Sequence, residues 1–296
     1  MTRLVLGRLV RSIRFRLGAV LLVLLAVLMI VPGAVVALSP YEGPASRCSV
    51  RADDGSYQDL LSPSSDHWFG TDAQGCDVFA QVVLGARPSM SIGLVGGLLI
   101  AVVGTALGLL AATRGGWVDA FVRRVGDVTL GIPLVVGAIL LLSVLAGDQR
   151  SWWEIAAVLA VLGWPATARI ARTSARAVLT KEYVEAGRAA GATTSHLVRR
   201  HVLPNALPPV LAFSTLAAGV LIGAEATLTY LGIGLQIPTV SWGLMIEEGQ
   251  RSYGRTPHLL IFPTVFLTLA VAAFVLLGDA LRDALDAHVD MSSRTR

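Results

Sequence analysis

Residues 182–204 read EYVEAGRAAGATTSHLVRRHVLP, a polar segment set between two long apolar runs. Its residue order encodes two short helices with a break between them. Glu182 and Glu185 suit the positive end of a first helix dipole, and Ala186, Ala189 and Ala190 suit its body. Gly191 can take the left-handed conformation that ends that helix, and Thr193, Thr194 or Ser195 can cap a second one. Pro204 is expected to stop or redirect the chain, with the residue before it pushed away from helix. A short polar helix pair hung between membrane spans has the form of a docking element for something outside the membrane.

The flanks decide whether those runs are spans. The chain is 54% hydrophobic and only 15% charged, with a mean hydropathy of +0.67, which sets it apart from soluble domains. Its apolar runs reach about 20 residues or more, the length that crosses a bilayer. The only lysine, Lys181, does not sit in a G-x-x-x-x-G-K-[ST] loop, so nucleotide energy must come from a partner. Cys48 and Cys76 are too few for a disulfide framework, and no C-x-x-C or Cys/His cluster suggests a metal site.

Taken in order, residues 1–16 are a basic N-terminus with five arginines, followed by an apolar first span at 17–38. That run exceeds the core of about 7–15 residues found in a cleaved signal peptide, and we take it as retained. Residues 39–86 form a water-exposed loop holding both cysteines. In an oxidising compartment they could bridge, and two unpaired thiols fit the spacing equally well. A core at 87–281 then carries five further runs, at about 88–113, 125–146 (kinked at Pro133), 154–170 (continuing as a basic helix through Arg172 and Arg176), 205–233 and 258–281. Gly93-x-x-x-Gly97 and Gly104-x-x-x-Gly108 mark a closely packed membrane helix. Residues 147–153 are a short connection, 234–257 a loop, and 282–296 a polar tail.

Six spans put both termini on one side. Assigning that side to the cytoplasm places 18 of the 24 Lys and Arg there, against 6 opposite. This satisfies the positive-inside rule and explains the basic charge without nucleic acid. The pair at 182–204 is then cytoplasmic, and the 39–86 and 234–257 loops face outward.

Those residues also carry a resemblance. Glu185-Ala186-Gly187, then Gly191, then Leu203-Pro204 resembles the EAA loop of ABC-importer permeases, with Gly187 in place of the second alanine. HWFGTDAQGCDVFAQVVLGAR (67–87), GGWVDAFVRRVGDVTLGIP (115–133), TYLGIGLQIPTVSWGLMI (229–246) and GDALRDALD (278–286) resemble segments of the dipeptide/oligopeptide/nickel permeases of the C-subunit type. The departures are Cys76, Tyr230, Ile237, Ala287 and His288. Coverage runs from about 67 to 286, and residues 39–66 match nothing we can name.

The resemblance implies an all-α membrane protein with six transmembrane helices in the type I importer permease fold, a cytoplasmic coupling region at 182–204 and an extracytoplasmic loop after the first span. It implies that Glu182, Glu185, Ala186, Gly187, Ala190, Gly191, Leu203 and Pro204 form the surface that docks an ATP-hydrolysing subunit. Glu185 would be a polar contact, Gly191 the turn, and the alanines small faces for close approach. The chain would be a non-catalytic subunit, binding no cofactor itself, with ATP and Mg held by partner ATPase subunits. Its other partners would be a homologous second permease, an extracytoplasmic solute-binding protein and membrane lipid. The expected solute is a peptide, with nickel or another small solute as the alternative. A proton-coupled secondary transporter ranks below both, because the sequence shows neither inverted repeats nor paired intramembrane ionisable groups.

Glu225 is the one acid well inside a span. A charge at the bilayer centre costs on the order of 2.5–3.5 kcal/mol, so it must face protein or water, or be protonated. A proton relay or a substrate ligand is one reading. We favour a helix–helix hydrogen bond at the subunit interface. The tryptophans Trp68, Trp152, Trp153 and Trp242 are expected to be interfacial anchors or loop core. His67, Asp66, Asp72 and Asp77 cluster in sequence without fixing a metal geometry, and His196 and His201 in the coupling region are not expected to bind metal.

Overall fold

The computed structural model describes residues 9–40, 48, 59–145 and 150–294, with side chains described as far as 285. The expectations for residues 1–8, for most of the 41–58 stretch of the first loop, for 146–149 and for the side chains of the tail lie outside these residues. Among the described residues, every regular element is a helix. They are α1 (Ile13–Ile30), α2 (Pro32–Val36), α3 (Val78–Arg114), α4 (Gly116–Leu130), α5 (Leu134–Leu145), α6 (Trp152–Leu179), α7 (Glu182–Ala189) and α8 (Thr194–Leu197). A π-helical turn (Val198–Val202) leads to α9 (Leu203–Tyr230), α10 (Trp242–Arg251) and α11 (His258–Arg294).

Glycines set how the long helices meet. On α3, Gly93 lies against Ala218 and Ile222, and Gly97 against Ser214 and Ala218, so α3 and α9 run antiparallel. Farther along α3, Gly104 meets Thr167 and Gly108 meets Ala168 and Ala171, so α3 and α6 run parallel. The two small-residue motifs thus seat α3 against two different helices. A Cβ on Gly108 would stand 2.5 Å from the carbonyl oxygen of Ala168. Gly108→Leu should therefore push α3 off α6, at about 1–3 kcal/mol or more. The expected readout is a lower thermal midpoint in detergent, and an unchanged midpoint would contradict this packing.

Gly18 of α1 rests on Leu276 and Leu277, and Leu9 packs on Ala280 and Ala284, so α1 and α11 are antiparallel as well. The described ends of the chain therefore lie at the same end of the bundle as α7 and α8. One apolar core joins α3, α5, α6 and α9, and a second joins α1, α3, α9, α10 and α11 around Trp242.

Among the described residues, five helices are long and apolar enough to cross a membrane, and α4 with α5 makes a sixth span only as a bent pair. The expected kink at Pro133 is a break, with the two helices meeting at 93°. The physical reason is local. Asp119, Arg123, Arg124 and Asp127 make α4 too polar to enter lipid alone. The 12 residues of α5 rise only about 18 Å of a hydrocarbon core about 30 Å thick. Four further expectations need correction. The second span begins at Val78, because Asp77 caps it through the amide of Ala80 and Pro88 is accommodated inside the helix. Pro204 does not stop the chain, because it sits in the first turn of α9, where a missing N–H costs nothing, after the π turn has absorbed the change in register. The 234–257 loop contains α10, capped by the Ser241 side chain on the amide of Leu244. The last helix continues past 281 to Arg294.

Candidate docking site and buried polar nodes

The segment at 182–204 folds into a knob with a dry inner side. Val184 is fully buried, packed with Leu197, Val202 and Ala206 and with Ala175 and Val178 at the end of α6. Acidic residues fill the first turn of α7, and Arg188 lies in its last. The helix ends in a Schellman arrangement. Gly191 has φ +83°, its amide donates to the carbonyl of Arg188, and the amide of Ala192 donates to that of Gly187. Thr193 then caps α8 by accepting from the amide of His196.

Glu182, Glu185, Ala186, Ala190, Gly191 and Pro204 are exposed, while Gly187 and Leu203 are half-buried. Gly187 faces inward, where a Cβ would stand 3.1 Å from Leu197, so the departure from a second alanine lets α7 lie close over α8. Apart from exposed Tyr183 the outer face is thus polar or small, the inner face is apolar, and the knob is rooted in both α6 and α9. It can transmit a push. No group of three or more His, Cys, Asp or Glu among the described residues could hold a metal ion.

Glu225 lies on α9 with none of its surface exposed. Thr229 donates to its Oε1 at 2.9 Å, Ser241 to the same oxygen at 3.3 Å, and Ser89 of α3 to its Oε2 at 3.4 Å. Each hydroxyl oxygen in turn accepts a backbone N–H: Thr229 from Leu235, Ser241 from Leu244, and Ser89 from Trp242. Three amides therefore orient three hydroxyls onto one carboxylate. The indole of Trp242 adds a bond to the carbonyl of Val82 on α3. Glu225 bonds within this chain, which corrects its placement at a subunit interface. The node pins the loop after α9 and the start of α10 to α3.

A second node was not foreseen. Asp119 of α4, 5% exposed, takes both guanidinium arms of Arg172, one through Nη2 at 2.8 Å, and is also met by Arg176 at 3.0 Å and Arg123 at 3.3 Å. Asp127 pairs with Arg169 at 3.0 Å. The signal was in the i,i+4 pair Arg172 and Arg176, which serves the topology count but also places two cations on one face of α6. Asp119→Asn should lower stability by about 1–2 kcal/mol, discounted because Arg123 and Arg176 are half exposed. A thermal midpoint equal to wild type would show that the node carries no stability.

At the opposite end, Cys48 and Cys76 are joined by a disulfide. The neighbouring polar residues are consumed by local structure. Asp77 caps α3 and pairs with His67 at 2.9 Å. Asp72 accepts from the amides of Gln74 and Cys76 and from the side chain of Gln81. Nearby on α10, Glu248 is held above the usual carboxylate range by burial and by the charges of Asp72 and Glu247. Trp242 is loop core, whereas Trp68, Trp152 and Trp153 remain at the surface.

This architecture can be set against known proteins. Residues 104–291 match the family described as binding-protein-dependent transport system inner membrane component. The chain is 38% identical over 224 residues to the oligopeptide transport system permease protein OppC of Bacillus subtilis (strain 168), covering 76% of this chain and 72% of that protein. It is 35% identical over 224 residues to the glutathione transport system permease protein GsiD of Pectobacterium atrosepticum, covering 76% and 73%. A chain of the MetNI methionine ABC transporter, solved in an inward-facing conformation, shares the fold. Its TM-score is 0.55 at 24% identity, and the match covers 70% of this chain and 97% of that one. The chain belongs to the family of binding-protein-dependent transport system inner membrane components, as a non-catalytic ABC transporter permease subunit that crosses the membrane several times.

Proposed function

We propose that this chain is one permease subunit of an ATP-driven importer of peptides, paired with a homologous second permease. The observation that carries the reading is the rooting of the α7–α8 knob in both α6 and α9 through one small core. A rigid element so placed converts a rigid-body movement of a docked ATPase into movement of two spans. Glu182, Glu185, Ala186, Ala190 and Gly191 form the docking face, with Gly187, Leu203 and Pro204 setting its seat. The end that carries α7, α8 and most of the basic residues faces the cytoplasm, together with both termini. An extracytoplasmic solute-binding protein delivers solute to the opposite end. ATP and Mg bind the ATPase subunits; ATP closes them, the pathway opens outward, and hydrolysis resets it.

Relatives named for oligopeptide, dipeptide and glutathione transport support a peptide-like solute, with glutathione as the narrower alternative. The test is uptake of labelled peptides of two to five residues, and of glutathione, by cells with and without the gene. Loss of peptide uptake on deletion is expected. Loss of glutathione uptake alone would favour the narrower solute, and loss of nickel uptake alone would refute the peptide assignment.

A further inference from the structure

A cavity of about 300 Å³ lies between α4 and α6. α4 runs antiparallel to α6, since Asp119 meets Arg172 and Arg176 while Gly126 lies against Pro165. The cavity is therefore graded along its length. Arg123, Arg169 and Arg172 line it toward the α7–α8 end, and Leu130, Trp164 and Pro165 line it farther into the bundle.

Its charge is not balanced. Arg123, Arg169, Arg172 and Arg176 face only Asp119 and Asp127 in the ion pairs of these two helices. Arg172 and Arg176 also meet the same oxygen of Asp119, and Arg123 reaches it too. Two guanidinium charges are left over beside an apolar slot. Leu130, which lines the slot, is itself exposed, and α4 also carries exposed Phe121, Val125 and Val128, so the apolar part of the slot reaches the surface.

We propose that this cavity is a binding site for an acidic phospholipid of the leaflet nearest α7 and α8. The headgroup phosphate lies against Arg123 and Arg169, whose side chains are more than half exposed, and an acyl chain lies along Leu130, Trp164 and Pro165. Arginine suits the role because its planar fork pairs phosphate oxygens two at a time. Basic pockets between membrane helices take anionic headgroups for the same reason. A bound lipid would brace α4 against α6 next to the helix that ends in the docking knob.

The experiment is native mass spectrometry of the protein purified from membranes with its accompanying subunits. The probes are dioleoyl-phosphatidylglycerol, dioleoyl-phosphatidylcholine and inorganic phosphate. Phosphatidylglycerol should be retained in preference to phosphatidylcholine. Each of Arg123→Gln and Arg169→Gln should weaken its retention by about fivefold. Leu130→Trp, which fills the apolar part and leaves the arginines untouched, should also reduce it, and this variant carries the test if the arginine variants do not fold. Equal retention of both lipids, unchanged retention in these variants, or displacement by millimolar inorganic phosphate would overturn the proposal. So would the absence of lipid from an assembled complex in which a second subunit covers the cavity.

Discussion

Ala186→Asp is expected to abolish ATP-driven uptake while leaving the chain folded in the membrane. Ala186 is exposed on α7, and the contacts that anchor that helix are made by Val184 on its buried side. Changing an exposed residue away from such contacts normally alters stability by no more than about 0.5 kcal/mol. The same change on a face that docks another protein buries an unpaired carboxylate, at about 2–5 kcal/mol. At 1.4 kcal/mol per tenfold, binding of the ATPase would weaken by about 30-fold or more. Uptake in cells and co-purification of the ATP-hydrolysing subunit should fall together, with expression and thermal midpoint unchanged. Normal uptake in this variant would remove α7 from the docking face.

Glu225 tests the other half of the molecule, and two substitutions separate structure from chemistry. Glu225→Ala removes the acceptor of three hydroxyls at once and leaves a cavity among α3, α9 and the start of α10. Serine and threonine in helices can turn back to their own backbone carbonyls, which softens the loss, but Ser241 sits at a helix cap and cannot. A loss of about 3 kcal/mol is expected, with uptake reduced because α10 is no longer held to α3. Glu225→Gln keeps one carboxamide oxygen for two of the hydroxyls and mismatches the third, at about 1 kcal/mol. Its uptake should stay near wild type. Thermal denaturation and uptake measured on both variants decide the matter. If Glu225→Gln were as inactive as Glu225→Ala while remaining folded, the carboxylate would be carrying a proton or solute.

The two-helix knob at 182–204 was legible because its signals are local. Gly191 and Thr193 do in three dimensions what their neighbours in the chain suggest, and the alanines and glutamates of α7 need no distant partner. The spans were legible for a similar reason, since a run of apolar residues needs only lipid. The polar nodes were not. Ser89 lies 136 residues from Glu225 in sequence, and a serine gives no sign of which acid it will meet. Asp119 and Arg172 are 53 residues apart, and each has an adequate local explanation on its own.

Two elements were obscured by reading charge or proline too simply. α10 looked like loop because Glu247 and Glu248 follow Trp242 so closely, yet Trp242 and Met245 are buried on one side while Gln250 and Arg251 stay outside. Pro133 announced a kink, but the depth of the bend follows from Gly131 closing α4 just before it and from the charges along α4 itself. The disulfide required the distance between Cys48 and Cys76, which residue spacing alone cannot supply.

The central claim is that this chain moves solute only as driven by separate ATPase subunits acting through α7 and α8. Solute accumulation in proteoliposomes tests it most directly, comparing the chain reconstituted with its co-purifying subunits against the chain alone. The account predicts accumulation that requires ATP, persists in a protonophore, and is absent when the chain is reconstituted alone. Accumulation by the chain alone, or accumulation abolished by the protonophore with ATP present, would contradict it.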